Sequence, residues 1–121
     1  MRCINLLTAS TFLLCGTLAA HAHATLDRSD PAVGSELRAA PHQVTLWYTQ
    51  KLEPALSSIE VRNSAGERVD QGRARVDPSN HSVLRIGLKP LPPGTYKVIW
   101  RVLSADTHTT QGSFTFQVGD R

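Results

Sequence analysis

Apolar residues recur at every second position in two stretches near the C-terminal end of the chain. Tyr96, Val98, Trp100 and Val102 form the first run, and Phe114, Phe116 and Val118 the second. A period of two belongs to a strand with one buried face, because successive side chains of extended backbone point to opposite sides. Two strands, 95–103 and 112–118, are therefore expected, with the polar segment Ser104–Gly112 as a loop between them. The same alternation places Val44, Leu46 and Tyr48 on one face of a strand over 43–49, with Trp47 on the other. It also marks Ile59 and Val61 in a strand over 56–62, and a strand over 83–88. A short first strand is expected over 25–29. The polar stretch 67–76 reads as one or two short edge strands, whose charges (Arg68, Asp70, Arg73, Arg75) oppose pairing with a foreign strand.

Turn signals separate these runs at intervals of roughly ten residues. They are Asp30-Pro31-Ala32-Val33-Gly34, Asn63-Ser64-Ala65-Gly66, Asp77-Pro78-Ser79-Asn80 and Lys89-Pro90-Leu91-Pro92-Pro93-Gly94. No stretch sustains the helical period. The pattern predicts an all-β chain: a Greek-key, immunoglobulin-like or cupredoxin-like β-sandwich of about seven strands. Trp47 and Trp100 are both expected in its core.

Residues 1–22 stand apart from this pattern. A short positive start (Met1-Arg2), a mostly apolar run from Leu6 to Leu18 and the small-residue pattern Ala20-His21-Ala22 read as a secretory signal peptide. The apolar run is shorter than the ~20 residues that a membrane span needs. Cleavage after Ala22 leaves a 99-residue domain, 23–121, large enough to bury its own core. That domain is expected to be exported. Cys3, Cys15 and the only methionine, Met1, all leave with the leader, so the mature chain has neither thiol chemistry nor a thioether site. Loss of Arg2 lowers the formal charge from +3 to +2. That small excess, without a basic run, does not suit nucleic acid.

Candidate chemistry lies at the two ends of the mature chain. Asp106 and His108 are two residues apart in the polar loop, so extended backbone would point both to one side. A carboxylate beside an imidazole suits a borderline metal ion or acid–base work. At the other end, cleavage after Ala22 makes His23 the first residue. Its amine and imidazole can then close a chelate ring on one ion, the amine proton being displaceable near neutral pH. Cleavage after Ala20 would instead leave His21-Ala22-His23, also a strong copper or nickel chelator. Cleavage after Ala24 would remove the ligand. His42 and His81 adjoin turns and read as exposed, structural residues.

Several of these stretches together resemble the copper resistance protein C (CopC) family. They are His23-Ala24-Thr25-Leu26, Ser29-Asp30-Pro31-Ala32, Leu91-Pro92-Pro93-Gly94-Thr95-Tyr96, Trp100-Arg101-Val102, Ser104-Ala105-Asp106-Thr107-His108 and Gly112-Ser113-Phe114-Thr115-Phe116. The resemblance spans the mature chain. It implies a periplasmic, Cu(II)-binding β-sandwich that is not an enzyme and serves as a copper carrier or buffer in copper resistance or homeostasis. It implies metal ligands at His23, Asp106 and His108, and a membrane partner of the CopD type, an inner-membrane copper transporter. A monomer is expected. The chain departs from the family pattern in two places. Gln50 stands where many members carry a carboxylate, and there is no Met-rich Cu(I) segment.

Two other functions compete with this one. A copper ion held by an N-terminal His brace can support oxidative catalysis, which needs an open coordination position and a substrate-binding face. A metal-free β-sandwich can serve as an interaction module, since a fold does not dictate its function.

Overall fold

A computed structural model of the chain describes residues 24–119, which fold as eight strands in two four-stranded sheets. The leader expected over 1–22, its expected cleavage site, His23 and residues 120–121 lie outside the described residues. The strands are β1 (Leu26–Asp30), β2 (Glu36–Leu37), β3 (Gln43–Tyr48), β4 (Ser58–Arg62), β5 (Asp70–Asp77), β6 (Asn80–Leu88), β7 (Gly94–Leu103) and β8 (Thr109–Val118). One sheet has the order β1-β3-β6-β5 and the other β2-β8-β7-β4. All pairs are antiparallel except β2 with β8. A short 3₁₀ turn, Pro54–Leu56, is the helical element among the described residues, and no helix there is long and apolar enough to cross a membrane.

The core lies between the sheets and is built from the alternating positions. Val44, Leu46 and Tyr48 meet Val98, Trp100, Val102, Phe114, Phe116 and Val118 in one buried cluster. Fully burying one such side chain is worth about 2 kcal/mol, so this face decides the register of every strand. The Tyr96 hydroxyl donates to the carbonyl of Pro92, four residues back, fastening the proline-rich corner to the start of β7.

Three sequence expectations are corrected. The polar segment is a loop only from Ser104 to His108, because β8 already begins at Thr109 and pairs with Leu103. Gly112, expected in the loop, lies within β8 opposite Trp100, and a Cβ at that position would stand 2.6 Å from the indole Cζ2. The alternation therefore breaks at Gly112 because the Trp100 ring fills its space. Secondly, Trp47 is not in the core. It sits on the outer face of β3, with the Arg28 guanidinium 3.9 Å above its ring, whereas Trp100 is buried edge-on against Tyr48. Thirdly, the strand expected from Leu56 starts at Ser58, and Leu56 is exposed in the 3₁₀ turn that Pro54 opens. Strand β2, two residues long, is too short for any period to reveal.

Candidate metal centre

Three chain segments meet at one end of the sandwich. The first is the start of the described chain. Ala24 is buried, and its carbonyl accepts a hydrogen bond from the Thr110 hydroxyl at 2.8 Å. Thr25 then docks on the end of β3: its N–H donates to Thr49 Oγ1 at 2.9 Å, and its carbonyl accepts from the Thr49 N–H at 3.0 Å. The second segment is the chain leaving β3. Leu52 bridges to Ser104, and the Lys51 carbonyl accepts from the Ala105 N–H at 2.9 Å. Gln50 belongs to this segment. The third is the loop Ser104–His108 itself.

Ser104 shapes that loop. It continues the inward register Val98, Trp100, Val102, so its hydroxyl is carried into the interior, where it has no solvent exposure. There it donates to Asp106 Oδ1 and accepts from the His108 N–H at 3.2 Å. The Ser104 N–H donates to the His108 carbonyl at 2.9 Å, and the Thr107 N–H to the Ser104 carbonyl at 2.8 Å. Thr107 makes the turn with φ 74°, a left-handed conformation that a β-branched residue rarely adopts. Strain of this kind is held only where surrounding contacts enforce it.

Asp106 and His108 are brought together, with Asp106 Oδ1 3.4 Å from His108 Nδ1. The cause is a turn closed on Ser104, not the extended i, i+2 geometry expected from sequence. Both side chains are nearly half exposed. The Ser104 hydrogen bond holds the Asp106 carboxyl below the usual carboxylate range; partial desolvation opposes this and His108 reinforces it. Asp106 is therefore an anion across the neutral range, the form that a metal ligand needs. Among the described residues no group of three or more His, Cys, Asp or Glu side chains is close enough to hold a metal. Asp106 and His108 are a pair, and His23 lies outside the described residues.

The sequence reading gave no role to Ser104, quoted only as part of a motif, or to Thr110. Each is a polar residue in the inward register of β7 or β8, where a core side chain would otherwise stand, and that is the signal that could have found their roles. His42 and His81 are exposed, as expected. Their carbonyls serve structure, accepting from the Leu88 and Leu52 N–H groups at 2.9 Å.

The CopC domain model matches residues 26–119. The copper transport protein CutJ of Bacillus subtilis (strain 168) is 36% identical over 99 residues, which make up 81% of this chain but only 18% of CutJ. Copper resistance protein C of Pseudomonas syringae pv. tomato is 36% identical over 107 residues, covering 82% of each protein. The crystal structure of CopC from Methylosinus trichosporium OB3b superposes with a TM-score of 0.75 at 32% identity, over 79% of this chain and 93% of that one.

Proposed function

The chain belongs to the CopC domain family, a family of copper resistance proteins and not of enzymes, and from that premise we propose that it is an exported copper carrier or buffer. In this reading it binds one Cu(II) ion through His23, Asp106 and His108 in the periplasm. One observation carries the proposal. Ala24, the residue after His23, is tied to Thr110, two positions beyond His108. A metal ligand at position 23 is thus one peptide unit from a point already fastened to the strand that leaves the Asp106–His108 loop.

The donor chemistry fits copper. A terminal amine, two imidazoles and a carboxylate form a nitrogen-rich set suited to tetragonal Cu(II), which stands highest in the divalent affinity order. Zinc is the natural competitor but prefers a tetrahedral site. With no Cys or Met after residue 22, the chain lacks the soft ligands that favour Cu(I). Gln50 stands where many family members carry a carboxylate, so Asp106 is the acidic ligand in this reading. Within the chain, Ser104 holds Asp106 and the loop in place, while Thr110 and Thr49 fix the segment that follows His23. The names of the relatives carry over as a role in copper transport or resistance. A CopD-type membrane partner and a monomeric state complete the proposal.

The test is to purify the exported protein, confirm His23 as its first residue by mass spectrometry, and titrate it with Cu(II) under electron paramagnetic resonance. One tight equivalent with nitrogen-rich tetragonal parameters is expected. It should be lost in His108→Ala and when one residue is added before His23. Binding that survives His108→Ala but requires His21 would replace this site by a simple terminal chelate.

A further inference from the structure

On the outer face of the β1-β3-β6-β5 sheet, Arg85 of the inner strand β6 stands directly across the ladder from Arg75 of the edge strand β5. Like charges opposed in this way destabilise a sheet. Asp77 takes up the Arg85 guanidinium, but among the described residues no carboxylate pairs with Arg75 or with its neighbour Arg73. The backbone opens a space beside them. The β5 register shifts between Gln71 and Arg75, with Gly72 at φ 80°, and Gly87 on β6 carries no side chain. The result is a surface cavity of about 420 Å³ bordered by Arg73, Arg75, Arg85, Asp77 and the amides of Gln43 and Gln71.

We propose that this cavity binds a phosphoryl group. Protection of a sheet edge explains Arg73 and Arg75, because charged edge strands resist foreign pairing. It does not explain Arg85, which lies on an inner strand with no edge to protect. Three guanidinium groups and one carboxylate leave two positive charges around the cavity, enough to hold a phosphodiester of charge about −1 or a phosphomonoester of charge about −2 near neutral pH. Guanidinium forks bind such oxygens in pairs, and the two amides add neutral donors. A carboxylate would offer too few oxygens for this number of donors. The cavity is open on one side, so the rest of the phosphorylated molecule stays in solvent. The phosphoryl group can come from a free phosphorylated metabolite or from the headgroup of an anionic phospholipid. The site is independent of copper.

The experiment is a titration of the metal-free mature protein with inorganic phosphate, followed by two-dimensional amide NMR against chloride at equal ionic strength. Saturable shifts are expected at Gly72, Gly87 and Gln71. Arg75→Gln should weaken binding about tenfold, the usual effect of losing a charge-assisted hydrogen bond, and Arg73→Gln should act in the same direction. Lys97→Gln, on the other sheet, should change nothing. Arg75→Gln should also melt no lower than the parent, because it removes a like-charge opposition. In a second arm, the protein is sedimented with phosphatidylglycerol or phosphatidylcholine vesicles. Phosphatidylglycerol binding that Arg75→Gln abolishes, without a response to free phosphate, would assign the site to a lipid headgroup. Absence of binding in both arms, or binding that ignores both arginine variants, would overturn the proposal.

Discussion

The Thr110 hydroxyl and the Ala24 carbonyl, 86 residues apart in sequence, form a 2.8 Å hydrogen bond that fastens the start of the domain to the strand leaving the Asp106–His108 loop. Ala24 is buried, so this acceptor has no access to water. Thr110→Val keeps the shape of the side chain and removes the donor. An unpaired buried carbonyl costs about 1–2 kcal/mol, which urea unfolding should register. Copper affinity, measured by competition with a chelator, should fall about tenfold as the terminal segment loosens, and Thr110→Ser should restore both. Unchanged copper affinity in a folded Thr110→Val protein would separate the anchor from the metal.

Ser104→Ala removes the hydroxyl that donates to Asp106 and accepts from the His108 N–H. The Asp106 carboxyl, held low chiefly by that hydroxyl, should titrate at higher pH in the variant. Carboxyl-carbon NMR of the metal-free protein measures this directly. The sign follows from linkage. A carboxyl depressed on folding adds stability above its unfolded value and loses that contribution as pH falls, so Ser104→Ala should flatten the acid limb of stability. An Asp106 titration unmoved by the substitution would show that Ser104 does not control the carboxylate.

Gly112→Ala should destabilise the domain by about 1–3 kcal/mol, the usual cost of overpacking. The new Cβ would lie 2.6 Å from Trp100 Cζ2, deep in the contact between β7 and β8. Thermal unfolding gives the loss, and near-ultraviolet circular dichroism should report a displaced indole. Phenylalanine has no atom where Cζ2 stands, so Trp100→Phe combined with Gly112→Ala should cost less than the sum of the single changes. Simple additivity would mean that the glycine is not there for the ring.

Asp70 ties the two sheets together at their edge. Nearly buried on β5, it accepts the Val61 N–H at 2.8 Å and a forked pair from Arg68, also at 2.8 Å. Burial alone would raise its pKa, but Arg68 and the Val61 N–H outweigh burial and hold the carboxyl below its usual range. The stability it supplies is thus full above the ordinary carboxylate pKa of about 3.9 and is lost as pH falls below it. Asp70→Asn keeps an acceptor for Val61 and loses the ion pair. Because Arg68 is half exposed, the cost at neutral pH should be about 1–2 kcal/mol. The variant should show a shallower fall in urea stability from pH 5 to pH 3 than the parent; identical slopes would remove Asp70 from the acid response.

The sheet pattern was legible because alternation of period two is a local property. Val44, Leu46 and Tyr48 on β3, and Tyr96 through Val102 on β7, had to face one way wherever their partners lay. The same reasoning failed at Gly112, where the cause of the break is a ring on the neighbouring strand. Alternation put Trp47 on the face opposite the core, where it lies; the separate expectation of a core tryptophan failed there, because its partner Arg28 comes from β1. The two-residue β2 forms only because β8 offers it an edge.

The chain by itself therefore determined the fold class, the absence of thiol and thioether chemistry after residue 22, and the family resemblance that singled out His23, Asp106 and His108. Those properties depend on residue identity and on spacing within single segments. Tertiary structure decided how the segments meet: Ser104 turned inward to close the loop around Asp106 and His108, Thr110 fastened to Ala24, the Gln50 segment laid against Ala105, and Arg75 set opposite Arg85. Each of these contacts joins residues whose relative positions are fixed only when two sheets bury a common core, and no period along one strand encodes them.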